Sequence, residues 1–90
     1  MELSEIRKEL DVIDKKIIDL YFTRMDLCKK VAEYKIANNM PVLDGVREKQ
    51  KLDNVSSNAE SEFDKESLRE IFQLLMDRSK MLQTDMMNNK

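Results

Sequence analysis

Residues 3–34 read LSEIRKELDVIDKKIIDLYFTRMDLCKKVAEY, and the fold turns on them. Within that run Leu3, Ile6, Leu10, Ile13, Ile17, Leu20, Arg24, Leu27, Val31 and Tyr34 follow one another at alternating steps of three and four. That spacing keeps one stripe of a helix turned toward a partner. No Pro or Gly interrupts it before Pro41, so the spacing predicts a first helix from about residue 4 to about 38, roughly 50 Å at 1.5 Å per residue. Such a helix outruns the width of a 90-residue globule, which implies that it lies along a partner helix from a second subunit.

Working outward, the stretch from Asn38 to Gly45 reads as a loop, with Pro41 disfavouring helix at Met40 and Asp44 able to cap the next helix. That short second helix is expected from about 45 to 56, with Val46, Leu52 and Val55 turned inward. The polar run from Ser56 to Glu62 reads as the next connection. Asp64 can cap a third helix, on which Leu68, Ile71, Phe72, Leu75, Met76, Leu82 and Met86 recur at helical spacing up to a fraying Asn88-Asn89-Lys90 tail. The expectation is therefore all-α: three helices, one long, one short and one medium, in a single domain over residues 1–90. A chain this short buries only a modest core unless it pairs with another copy.

Composition narrows the chemistry. The single Gly and single Pro leave little turn punctuation, in keeping with long helices. The formal charge of −2 offers no broad basic surface for nucleic acid. No apolar run approaches a membrane span, the first residues lack a signal-peptide core, and lone Cys28 cannot close an intrachain disulfide. A reducing cytoplasm is the expected setting. His is absent, which with a single Cys removes the usual zinc ligand sets, the Ser-His-Asp and Cys-His nucleophile systems and histidine acid–base catalysis. Neither metal nor cofactor is expected, and any catalysis falls to Arg, Lys, Asp, Glu, Gln, Ser or Tyr.

Several polar residues stand out against this background. Arg24 is the one charged member of the ten seam positions, and its neighbours three and four residues away are Leu20, Tyr21, Leu27 and Cys28. With no local carboxylate, it requires an anion from elsewhere, escape to solvent along its stem, or a ligand. Lys35 comes eleven residues later and returns to within about 20° of the same face, roughly 16 Å along the axis. Two long cationic side chains bending together could hold one small anion; alternatively Lys35 is a solvated lysine. Arg7 lies about 25 Å from Arg24 on the same helix, out of reach of a shared small ligand within one chain. In an antiparallel dimer the partner's Arg7 would complete the site; otherwise Arg7 pairs with Asp11 at i+4. Asp44, Arg47 and Glu48 share one face of the second helix, either as a cap with a solvated charge pair or as ligand groups. Ser79 and Gln83 form an i, i+4 polar pair on the apolar side of the third helix, beside Leu75 and Leu82. They need partners, which a bound polar ligand or a Ser to i−4 carbonyl bond would provide.

The segment Leu10-Asp11-Val12-Ile13-Asp14-Lys15-Lys16-Ile17-Ile18-Asp19-Leu20, then Arg24, then Val31-Ala32-Glu33-Tyr34-Lys35, resembles the first helix of the all-helical, bacterial-type chorismate mutases. The resemblance continues through Pro41-Val42, Asp44, Arg47-Glu48, Ser79 and Gln83, and so covers nearly the whole chain. No one of these elements is specific. The set is, because eight polar positions at the family's spacings carry the residues its pattern asks for. Gly45 after Asp44 is a departure that weakens the helix start.

The resemblance implies an intertwined helical homodimer with two equivalent sites, acting on chorismate to give prephenate on the route to Phe and Tyr. By it, Arg24 and the partner's Arg7 would hold the two carboxylates, supported by Arg47 and Ser79. Glu48, with the backbone near Asp44, would take the ring hydroxyl, and Lys35 and Gln83 would donate to the ether oxygen. Such a [3,3] rearrangement needs no nucleophile, proton transfer or metal. It needs the enolpyruvyl ether held in its compact shape and donors where charge grows on the ether oxygen. Two rival readings are an isochorismate-pyruvate lyase, which the same fold and cationic clamp can host, and a non-catalytic helical dimerisation module. Arg24 without a local acid argues against the second.

Overall fold

The computed structural model describes residues 2–89. It consists of α1 (Leu3–Ala37), α2 (Gly45–Ser56) and α3 (Glu62–Asn88). The three expected helices are all present: α1 and α2 lie within one residue of their expected bounds, α3 begins three residues earlier than a cap at Asp64 would place it, and Lys90 of the expected tail lies outside the described residues.

The first helix has 35 residues and the molecule measures 54 × 27 × 14 Å, so α1 alone sets its length. At its start only the Glu2 carbonyl helps, accepting from the N–H groups of Glu5 and Ile6, both at 3.1 Å. At its end the chain stops helically before Pro41 acts. Asn39 adopts a left-handed φ of 52°, the Met40 N–H donates to the Lys35 carbonyl at 2.8 Å, and that of Asn39 donates to Ile36. This is a Schellman closure with asparagine where glycine is usual.

Asp44 caps α2 as expected, its carboxylate accepting from the Arg47 N–H at 3.0 Å. Gly45, the first residue of α2, has open space where a Cβ would stand and no positive φ, so the backbone there does not require glycine. The expected cap of α3 is corrected. Ser61, not Asp64, is the N-cap, and its hydroxyl accepts from the Asp64 N–H at 3.1 Å. A hydroxyl three residues ahead of that N–H captures the donor, and Asp64 then lies in the first turn, where its charge opposes the helix dipole favourably.

α3 is the element to which both other helices dock. The buried apolar core is small: Ala32 from α1, Val55 from α2 and Met76 from α3. Leu68, Phe72, Leu75, Leu82 and Met86 are half-buried, as is Leu52. One expected inward residue is not inward, since Val46 is 71% exposed, and Ile71 of the residues recurring along α3 is exposed as well. Val46 stands on the first turn of α2, and Ile71 lies on the flank of the stripe formed by the buried Met76, Ser79 and Gln83. All nine apolar seam residues of α1 are exposed in the single chain, Leu20 to 67%. Covering an aliphatic side chain is worth about 1.5–3 kcal/mol, so half-covering nine of them is worth on the order of 10 kcal/mol. That matches the whole stability of an ordinary domain.

Candidate functional site

Three helices converge on one cavity of about 340 Å³ at the carboxyl-terminal half of α1. It takes Arg24 and Lys35 from α1, Asp44 from the loop, Arg47 and Glu48 from α2, and Ser79 and Gln83 from α3. Seven of the eight residues singled out in the sequence thus share one space. Arg7 is the exception: it is exposed near the far end of α1 and does not line the cavity. The i, i+4 pair between Arg7 and Asp11 does not form. Leu27, Val31, Val42, Phe72 and Met76 supply apolar wall between the polar groups.

Among the described residues Arg24, Lys35 and Arg47 enter no ion pair. Arg24 is half-buried, and its nearest polar contact is a weak one from the guanidinium to Cys28 Sγ at 3.7 Å. Lys35 is not a freely solvated lysine. Its Nζ donates to the Val42 carbonyl at 2.8 Å, tying the last turn of α1 to the loop before α2. An ammonium carries three N–H donors, so two stay available to a ligand. Three cations without carboxylate partners around one partly apolar cavity are chemically suited to an anion with more than one negative group.

On α3, Ser79 and Gln83 are each only 6% exposed. Gln83 Nε2 donates to Ser79 Oγ at 2.9 Å, so the hydroxyl is engaged by its i+4 neighbour and not by the i−4 carbonyl. Gln83 Oε1 is buried without a partner. Turning the amide by 180° gives an alternative arrangement, in which the Ser79 hydroxyl donates to Oε1 and both amide N–H groups are left for a ligand. An unpartnered buried polar atom costs about 1–3 kcal/mol, which a polar ligand in the cavity would recover.

Sequence reading missed Lys80, Lys51 and Cys28 on the cavity wall. Lys80 is the consequential one. Its Nζ lies 2.9 Å from Glu48 Oε1 and 3.4 Å from Asp77 Oδ1. The Glu48 contact is short but off the hydrogen-bond direction, leaving Oε1 ion-paired without a directed donor. The Glu48 carboxylate holds the Lys80 ammonium above the usual lysine range against partial loss of water, with Asp77 acting in the same sense. Asp77 in turn titrates below the usual carboxylate range. The Gln73 amide, donating at 2.9 Å, is the main cause; it outweighs the loss of water, and Lys80 adds to it. The only sequence signal for Lys80 was its place beside Ser79, because its partner Glu48 is on another helix.

Among the described residues no cluster of His, Cys, Asp and Glu has the geometry of a metal site, and no helix is long and apolar enough to cross a membrane.

Residues 6–84 match the family described as chorismate mutase type II. The chain is 40% identical over 83 residues to a chorismate mutase of Methanocaldococcus jannaschii, an overlap of 91% of this chain and 84% of that protein. It is 33% identical over 90 residues to a bifunctional chorismate mutase/prephenate dehydratase of Buchnera aphidicola subsp. Schizaphis graminum, and 36% identical over 78 residues to the corresponding protein of subsp. Acyrthosiphon pisum. Those two are much longer: the match spans 23% and 19% of their lengths.

Proposed function

This chain belongs to the chorismate mutase type II family, and on that footing we propose that it is an isomerase converting chorismate to prephenate, in a cavity completed by a second copy of itself. The observation that carries the reading is the set of unpaired cations, Arg24, Lys35 and Arg47, around a cavity with an apolar wall and a buried Ser79–Gln83 pair. Chorismate is a dianion with an enolpyruvyl ether and a ring hydroxyl. Its two carboxylates ask for separated cations, its hydroxyl for an acceptor, and its ether oxygen for neutral or cationic donors.

Arg24 of one chain and Arg7 of the partner subunit would grip the carboxylates, with the planar fork of guanidinium matching carboxylate in two-point contacts. Arg47 and Ser79 would support that grip. Glu48 and the backbone near Asp44 would accept and orient the hydroxyl. Clamping both ends of the flexible ether brings the bond-forming carbons together, replacing a conformational search with a bound reactive shape. As the C–O bond breaks, negative charge grows on the ether oxygen. Lys35 and Gln83 would donate there, and one well-placed donor of this kind is worth roughly 3–4 kcal/mol. Every step is a matter of holding and polarising, so the lack of His is no handicap.

The exposed seam of α1 supports the homodimer, since an antiparallel partner helix would cover it and carry Arg7 to the cavity. A cytoplasmic setting fits the free Cys28 thiol. Timed loss of chorismate with identification of the product tests the activity. Prephenate is expected; pyruvate released from isochorismate in its place would identify a lyase, and no turnover of either would leave a dimerisation module.

A further inference from the structure

Glu48 poses a problem for a dianion site. It puts a carboxylate, only 18% exposed, on the wall of the cavity that must receive two more. A carboxylate removed from water is costly unless a cation compensates it. Arg47 and Lys51 are on the same helix and line the same cavity, but neither is paired with Glu48; nor is Arg24 or Lys35. Lys80 alone among the described residues reaches it, from α3, at 2.9 Å. Lys80 is itself held. Asp77 takes its ammonium at 3.4 Å, and Gln73 fixes Asp77 at 2.9 Å, so two groups along α3 set the position of the Lys80 nitrogen against α2. With a carboxylate on either side, that ammonium is not free to swing toward a substrate anion.

We propose that Lys80 is a positioning residue for the mutase reaction. It holds the Glu48 carboxylate by Oε1, leaves Oε2 to accept the substrate's ring hydroxyl, and cancels the charge that Glu48 would otherwise set against the substrate's carboxylates. The inference rests on the chorismate reading and adds the group that makes an acidic residue usable in this cavity. The repulsion that Lys80 removes is nearly equal in ground and transition states, because the carboxylates persist through the rearrangement. Its loss therefore acts on KM more than on kcat.

The test is a double-mutant cycle. Lys80→Met should raise KM about tenfold with kcat within a few-fold of the parent, and Lys80→Arg should restore KM because it keeps the charge. In a Glu48→Gln background there is no carboxylate left for Lys80 to hold, so adding Lys80→Met should shift KM by clearly less than the tenfold it costs with Glu48 present, the remainder being the bare attraction of a wall cation for the dianion. Kd for a dicarboxylate transition-state analogue, measured by calorimetry, gives the same comparison for any variant too slow to assay. A further tenfold weakening in the Glu48→Gln background would overturn the proposal, because Lys80 would then act on the ligand or the fold directly. That comparison also serves if Lys80→Met alone fails to fold, since the double variant contains no unpaired carboxylate at Glu48. Parent turnover is measured first. Its absence would sink the chorismate reading, whereas an active parent whose KM is indifferent to Lys80 would sink only this one.

Discussion

Replacing Arg7 or Arg24 by alanine should inactivate the protein, and mixing the two inactive variants should restore activity. Arg24 lines the cavity while Arg7 does not, and they are seventeen residues apart on α1, about 25 Å at 1.5 Å per residue. No pair of side chains on one helix bridges that distance around a small dianion. An antiparallel α1 from a second copy reverses the situation, since its amino-terminal turns pass the middle of the first helix. Truncating one member of a desolvated, hydrogen-bonded charge pair costs about 2–5 kcal/mol. At about 1.4 kcal/mol per decade, each single variant should lose between about thirty- and a few thousand-fold in kcat/KM.

When Arg7→Ala and Arg24→Ala are unfolded together and refolded, random pairing makes about half the dimers mixed. A mixed dimer has one site lacking both arginines and one site with both. Half the sites in half the dimers are then whole, and roughly a quarter of parental activity should return. The assay is chorismate loss before and after co-refolding, with each variant refolded alone as the control. If both arginines served a site within one chain, every site in every dimer would lack one of them, and recovery no greater than the controls would refute the shared site.

Three further outcomes are expected from the same geometry. The protein should sediment as a dimer at micromolar concentration and its denaturation midpoint should rise with protein concentration; a stably folded monomer would remove the architecture. Lys35→Ala should lower turnover about 100- to 1,000-fold through loss of a donor to the ether oxygen, and also cost about 1.5–3 kcal/mol of stability through the lost bond to the Val42 carbonyl. Activity within a few-fold of the parent would restrict Lys35 to that structural tie. Gln83→Glu should be active only where the new buried carboxyl is protonated, so its rate should rise as pH falls, whereas the parent amide has no such dependence; a variant indifferent to acid would mean that residue 83 does not face the ether oxygen.

The features legible in the sequence and those hidden from it divide along a physical line. Helices and their ends depend on residues close in the chain, and there local pattern suffices except where two local signals compete. Ser61 and Asp64 both suit a cap, and the choice went to the hydroxyl placed three residues before a free N–H. Asn39 stops α1 in a conformation usually given to glycine, which is why Pro41 looked decisive. Val46 and Ile71 have inward spacing, but spacing says only that residues share a face, not what that face meets. The site was legible as far as it consisted of charges that lack local partners. Arg24 and Lys35 announced themselves that way, and the cavity contains both. Lys80 did not, because Asp77 at i−3 gave it an ordinary surface explanation and Glu48, thirty-two positions earlier in the chain, was invisible as a neighbour.

The same surface that leaves the single chain short of stability also explains why Arg7 should matter at a distance. Arg7 directly follows Ile6 on the seam and precedes Leu10 by less than one turn, so whatever covers those residues brings Arg7 with it. Covering the seam is worth on the order of 10 kcal/mol, far more than one arginine–carboxylate contact. The register of the two long helices would therefore be fixed by apolar burial before any substrate arrives. The cation from the partner is then delivered already ordered, and substrate binding does not have to spend its own free energy on placing it. A long helix that cannot bury its seam alone is, on this account, what allows a chain with so small a core to keep a preorganised site.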